Sequence, residues 1–159
     1  MQQYLKTLEY VPPGMHTAED LEFLLAADNQ QPLIDRIPLL QIDHKLLTGE
    51  MMLFRLKPGP GTCICAIIKE HGVKRLEVTR GAGNYAPSLR NVLKELWTLA
   101  VELGCECVTT VVYSERFQKA LVLSGAQVEG WMLTYSEASH GHQEENQDEF
   151  QRNTDEQAA

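Results

Sequence analysis

Residues 113–126 read Tyr-Ser-Glu-Arg-Phe-Gln-Lys-Ala-Leu-Val-Leu-Ser-Gly-Ala, a helix entered from a strand and closed by a glycine. Ser114 can accept a hydrogen bond from the free N–H groups of a first turn, and Glu115 suits the positive end of the helix dipole. Phe117, Ala120, Leu121, Leu123 and Ser124 make the face that helical spacing turns toward a core. Gly125 can take the left-handed conformation that ends a helix. An apolar strand, residues 128–135, follows directly.

Working outward from this helix, residues 105–113 form a Val-rich strand, and residues 87–103 a long helix stopped by Gly104. In that helix Leu89, Val92, Leu93, Leu96, Leu99 and Ala100 turn inward. Three antiparallel strands precede it, over 51–57, 62–69 and 73–79. They are joined at Pro58-Gly-Pro-Gly61 and at Glu70-His71-Gly72, both strong turn signals. The chain opens with a strand over 4–11, ended by Pro12-Pro13-Gly14. Thr17-Ala-Glu-Asp20 then resembles a capping box with Asp in the acidic position. It starts a helix striped by Ala18, Leu21, Leu24 and Leu25 that stops near Asp28. Over 30–48 the apolar spacing is partly helical, but Pro38 forbids one helix, so a short helix, a break and a second short helix are expected. The order β-α-(α)-β-β-β-α-β-α-β predicts a mixed α/β sheet, mostly antiparallel, with helices on both faces.

The chain has 159 residues and a net charge of −8. Two domains' worth of core is not available, and one globular domain over 1–136 with a polar tail over 137–159 is expected. From Glu137 onward seven residues are acidic and one, Arg152, is basic. Such a tail repels phosphate backbones and disfavours nucleic-acid binding; it reads either as a solubilising extension or as an arm for a protein partner. No run of apolar residues is long enough to span a membrane. The first residues lack the layout of a signal peptide, so a cytoplasmic place is expected. The cysteines fall in two Cys-x-Cys pairs, Cys63/Cys65 and Cys105/Cys107. Zinc ligands usually stand two to four residues apart in a turn, whereas these lie in strand sequence, so reduced core thiols are expected and no metal. His16, His44, His71, His140 and His142 are scattered over turns and the tail and read as solvated.

The stretch 113–126 resembles the last helix of the GNAT (N-acyltransferase) superfamily. The family has Asn, an apolar residue three later, Tyr seven later and Gly-Phe at eleven and twelve. Ser114, Phe117, Leu121, Gly125 and Ala126 stand at those places, so the spacing is kept while the Tyr has become Leu121. The resemblance covers about residues 1–136. It implies a GNAT-like fold with acetyl-CoA, or CoA, in a splay between two central strands, and a Gly-rich connection from strand to long helix. Here that connection is Arg80-Gly-Ala-Gly83-Asn-Tyr-Ala-Pro87. Glycines there let backbone N–H groups approach a pyrophosphate, and the helix N-terminus adds positive potential. By this resemblance Val78, Arg80, Gly81, Gly83, Asn84 and Ser88 are the candidate cofactor-binding residues, and Glu77 is the candidate base. The acid that protonates the leaving thiolate is the family's Tyr, and Leu121 cannot serve; Tyr113 and Tyr85 are nearby in sequence. A plain strand-to-helix connection explains the glycines equally.

Two functions follow from the resemblance. The first is a degenerate GNAT-fold protein that works by binding other proteins, similar to phage-encoded GNAT-like proteins associated with the virion, in the host cytoplasm or an assembled particle, with protein partners or as a homo-oligomer. The second is an acetyl-CoA-dependent N-acetyltransferase of unknown acceptor.

Overall fold

The computed structural model describes residues 5–28, 37–57, 59–83, 85, 88–112, 114–129 and 132–135. The expected tail over 137–159 and its boundary at 136 lie outside them, as do Asn84, Tyr113, His140 and His142. The elements run β1 (Leu8–Val11), α1 (Ala18–Asp28), α2 (Leu39–Thr48), β2 (Met51–Leu56), β3 (Gly61–Glu70), β4 (Val73–Gly83), α3 (Leu89–Glu102), β5 (Cys107–Val111), α4 (Glu115–Leu123), β6 (Gln127–Glu129) and β7 (Met132–Tyr135). The described strands form one sheet in the order β1-β2-β3-β4-β5-β7-β6. Only β4 and β5, joined through α3, pair in parallel; the other pairs are antiparallel. The apolar run expected as one strand over 128–135 is two short ones, because β7 folds back to pair with both β6 and β5.

Alternation along the strands divides the apolar residues between two cores. Leu8, Phe54, Leu56, Cys63, Cys65, Leu76 and Val108 face α3 and α4, where Val92, Leu96, Leu99, Leu121 and Val122 meet them. Val11, Leu53, Ile64 and Ala66 face α1 and α2, against Leu24, Ile42 and Leu46. The α4 stripe is rotated from expectation. Leu121 and Val122 are buried, while Phe117 and Leu123 are 39% and 50% exposed. Its ends are as read: the Ser114 side chain accepts from the Phe117 N–H, and Gly125 takes φ 109° while the Ala126 N–H reaches back to the Leu121 carbonyl.

Polar groups join the layers. The Thr17 N–H donates to Asp20 at 2.8 Å and the Asp20 N–H to Thr17 at 3.3 Å, closing the capping box. Arg55 of β2 holds the same carboxylate from Nε and Nη2 at 2.9 and 2.7 Å. Those bonds keep the Asp20 carboxyl below the usual range despite its burial. Glu95 stands on the inward face of α3, where Oε1 accepts the backbone N–H groups of Lys6, Thr7 and Leu8 as the chain enters β1. His16 departs from its solvated expectation: its side chain is 7% exposed, and Nε2 lies 2.6 Å from Asp43 of α2. His71 does stand in solvent, in a turn where both it and Gly72 have positive φ (52° and 79°), the two-residue hairpin type that suits strand twist.

Candidate functional site: the fork between two central strands

The parallel ladder of β4 and β5 has four rungs, from Arg75↔Cys107 to Val78↔Thr110. Beyond them β4 runs on to Gly83 in register with β3, whereas Val111 of β5 is matched to Met132 of β7. The two strands therefore part after Val78 and Thr110. The register between β3 and β4 shifts at the same level: Cys65 faces Val78 and Ile64 faces Arg80. Thr79 is thus the extra residue of a β-bulge, a device that re-aims backbone groups and recurs beside active sites. At the closed end of the fork, the Thr110 hydroxyl donates to the Val78 carbonyl at 3.1 Å.

The candidate cofactor residues do not form a loop. Arg80, Gly81 and Gly83 lie in β4, opposite Ile64, Cys63 and Gly61, so the strand expected to end at 79 continues for four residues. The reason is the meeting of two glycines. A Cβ on Gly83, whose φ is 121°, would stand 2.4 Å from the Gly61 Cα and 2.7 Å from the Pro60 carbonyl oxygen. Arg80 turns Nη1 onto the Thr79 carbonyl at 2.7 Å. Ser88 stands at the N-cap of α3 without a side-chain capping bond, its N–H donating to the Tyr85 carbonyl at 2.9 Å. No acidic residue lies in the first turn of α3, which carries Arg90, so this helix end keeps its positive potential.

Among the described residues, few groups beside the fork can handle protons. Glu77 pairs across β4 with Ala66 and Thr109, on the α1 side of the sheet, and its carboxylate lies 3.4 Å from Arg75. Arg75 also reaches Glu70 at 3.1 Å and the Thr109 hydroxyl at 2.8 Å. Leu121 is 2% exposed in the core against α3. Tyr85 turns away from the fork: its hydroxyl donates to the Thr62 carbonyl of β3, and an added Gly81 Cβ would sit 3.8 Å from its oxygen. Burial, then the neighbouring Cys63 and Cys65, push its pKa far above the ordinary phenol value. It is a locked structural phenol. The thiols are similarly quiet. The adjacent Cys63 and burial hold Cys65 well above a usual thiol, and burial raises Cys105 despite nearby Lys74. None of the four cysteines is in a disulfide. Among the described residues no three His, Cys, Asp or Glu side chains gather where they could hold a metal, and no helix is long and apolar enough to cross a membrane.

Two central strands that part, with α3 joining them, are what the resemblance implied; the bulge and the parallel pairing were not part of it, and the glycines expected in the connection lie in β4. The fold is GNAT-like. Solved structures agree. A point mutant of the toxin AtaT bound to the C-terminus of the antitoxin AtaR superposes with a TM-score of 0.54 at 10% identity, over 86% of this chain and 94% of that one. The same mutant with acetyl-CoA also bound gives 0.51 at 10% identity, over 81% and 91%. A mutant of TTHA1254 from Thermus thermophilus gives 0.52 at 22% identity, over 76% and 90%. At such identities the likeness is one of fold. No family model and no curated protein matches the sequence.

Sequence reasoning passed over Thr110, Tyr85 as a lock, and Glu95. Only Glu95 left a readable signal, a carboxylate placed on the inward stripe between Val92 and Leu99. The Thr110 and Tyr85 bonds span 32 and 23 residues and leave no local trace.

Proposed function

We propose that this chain is a GNAT-fold protein with a degenerate acyl-CoA site, acting by binding proteins and not by acyl transfer. The observation that carries this reading is the state of the two positions that must move protons. Leu121 is buried apolar surface, and the Glu77 carboxylate is engaged by Arg75. A transferase needs a base at the incoming amine and gains from an acid at the departing thiolate. The use of Gly83 in the β3–β4 ladder supports the same reading, since its close face is filled by Gly61. AtaT supports a binding role by analogy, having been solved with the C-terminus of its antitoxin. The acidic tail is the segment we assign to a partner, and assembly into a virion is the specific form that the sequence resemblance suggests.

A second reading, an acetyl-CoA-dependent N-acetyltransferase, is favoured by the fork itself, the bulge at Thr79 and the first turn of α3, which carries no acidic residue. If CoA is held, Val78 and the backbone around Thr79 line the fork, and Ser88 and Arg90 stand at the anion-favouring helix end. The chemistry acetyl-CoA would supply is an activated thioester.

One experiment separates them. Acetyl-CoA and CoA are titrated by calorimetry and thermal shift, and free-thiol release is followed with a panel of amines. The degenerate reading expects binding no tighter than millimolar and thiol release at the buffer rate. Saturable micromolar binding with turnover, both lost in Arg90→Glu, would overturn it.

A further inference from the structure

Helices α3 and α4 meet at their outer surfaces through Arg90, in the first turn of α3. Its Nη2 donates to the carbonyl of Leu123, the last residue of α4, at 3.3 Å. Helical spacing extends that contact in both directions. Lys94 stands one turn beyond Arg90, and Lys119 and Arg116 lie on the Leu123 stripe, one and two turns back. All four cations are exposed, and Leu123 between them is half-exposed. Among the described residues none of the four is in an ion pair. The acids of these helices stand at other places: Glu95 faces the core, Glu115 begins α4 and Glu102 ends α3. The two helices therefore share a basic stripe with one apolar side chain in it.

The chain itself carries the complement. Glu144, Glu145, Asp148 and Glu149 stand close together and are followed by Phe150, the one apolar side chain beyond alanine in 137–159. Reach permits the meeting. Gln127 is four residues past Leu123 and pairs with Thr134, which puts Tyr135 within roughly 25 Å of Leu123. Residues 136–144 can span up to about 30 Å. We propose that the basic stripe of α3 and α4 holds the acidic segment 144–149 of the same chain, with Phe150 against Leu123. The proposal goes beyond the binding role argued above: the tail rests on its own chain, and a partner engages it by drawing it off. It holds whether or not the fork binds acetyl-CoA.

The test is carbodiimide cross-linking of the full chain, an equal mixture of isotope-labelled and unlabelled protein, read by mass spectrometry. Lys69 is the internal control, being exposed, outside the stripe and at the end of the sheet where the chain leaves β7. Links from 144–149 to Lys94 and Lys119 are expected within one chain, about fivefold more often than to Lys69, and to fall about threefold at about 1 M salt. Arg116→Gln and Phe150→Ser remove no reacting group, and each is expected to lower those links about threefold. Arg90→Gln repeats the loss of charge on α3. Links no more frequent than to Lys69, indifference to salt, or parent-like links in all three variants would overturn the proposal. Links found mainly between a labelled and an unlabelled chain would overturn it as well, and would give the stripe to the tail of a second copy.

Discussion

Between Arg75 and Val78, strand β4 has a ladder on each side, to β3 and to β5, whereas between Arg80 and Gly83 its ladder is with β3. The first half is filled by side chains that other layers use: Leu76, fully buried, enters the α3 core, and Arg75 and Glu77 tie the opposite face to Thr109. The second half, Arg80-Gly-Ala-Gly83, carries little side-chain bulk beyond Arg80. Its neighbours come close instead, the Gly61 backbone against Gly83 and the Tyr85 hydroxyl near Gly81. One strand thus does two jobs. Where it is enclosed it is held by burial, and where it leaves β5 it is held by backbone proximity.

The sharpest way to break this contrast is Leu76→Ala. Removing a fully buried leucine from the enclosed half is expected to cost about 2–5 kcal/mol in urea unfolding with an unchanged slope. A cost under about 1 kcal/mol would mean that the enclosed half is not where the sheet is anchored. Next comes the paired comparison of glycines. Gly83→Ala is expected to lose about 2–3 kcal/mol, from its positive φ and the clash with Gly61. Gly81→Ala has only ordinary contacts at 3.8 Å and is expected to stay within about 0.5 kcal/mol of the parent. Equal costs would erase the distinction between a glycine the ladder needs and one it merely tolerates.

Smaller than the loss at Gly83 is that of Tyr85→Phe, about 1 kcal/mol for the bond to Thr62. It has a pH signature. The folded state holds the Tyr85 proton far more tightly than the unfolded chain does, so its contribution is complete below about pH 10 and is lost as pH rises above it. Alkaline unfolding followed by tyrosinate absorbance is expected to register Tyr85 ionising only as the chain unfolds, and Tyr85→Phe to flatten the fall in stability. Ionisation near the ordinary phenol value in folded protein would place Tyr85 in solvent and not against β3.

What could be read in advance depended on the distance between signal and consequence. Ser114 and Gly125 act within one turn of their own helix, and the α4 ends came out as the residues promised. Thr17 with Asp20 and His71 with Gly72 are equally local. The glycines of β4 were ambiguous because their meaning lies across the sheet. Gly83 followed by a helix reads as an anion loop until Gly61, 22 positions earlier, is seen against it. The run over 128–135 hid a reversal because the pairing of β6 with β7 is a register between strands that neither strand's composition records. His16 and Phe117 were misplaced for the same reason: which one is covered depends on the seating of α2 and α4, not on residue type.

The sequence by itself determined the kinds and order of the elements from β1 to α4, where most helices begin and end, and the lack of a proton donor at Leu121. Those properties follow from side-chain chemistry and from bonds closed within a few residues. Tertiary structure alone decided how far β4 runs, which glycine meets which, that Arg75 reaches Thr109, and that Thr110 bonds the Val78 carbonyl. Each of these is a contact between groups far apart in the chain or a register between neighbouring strands, and neither exists until the sheet has assembled.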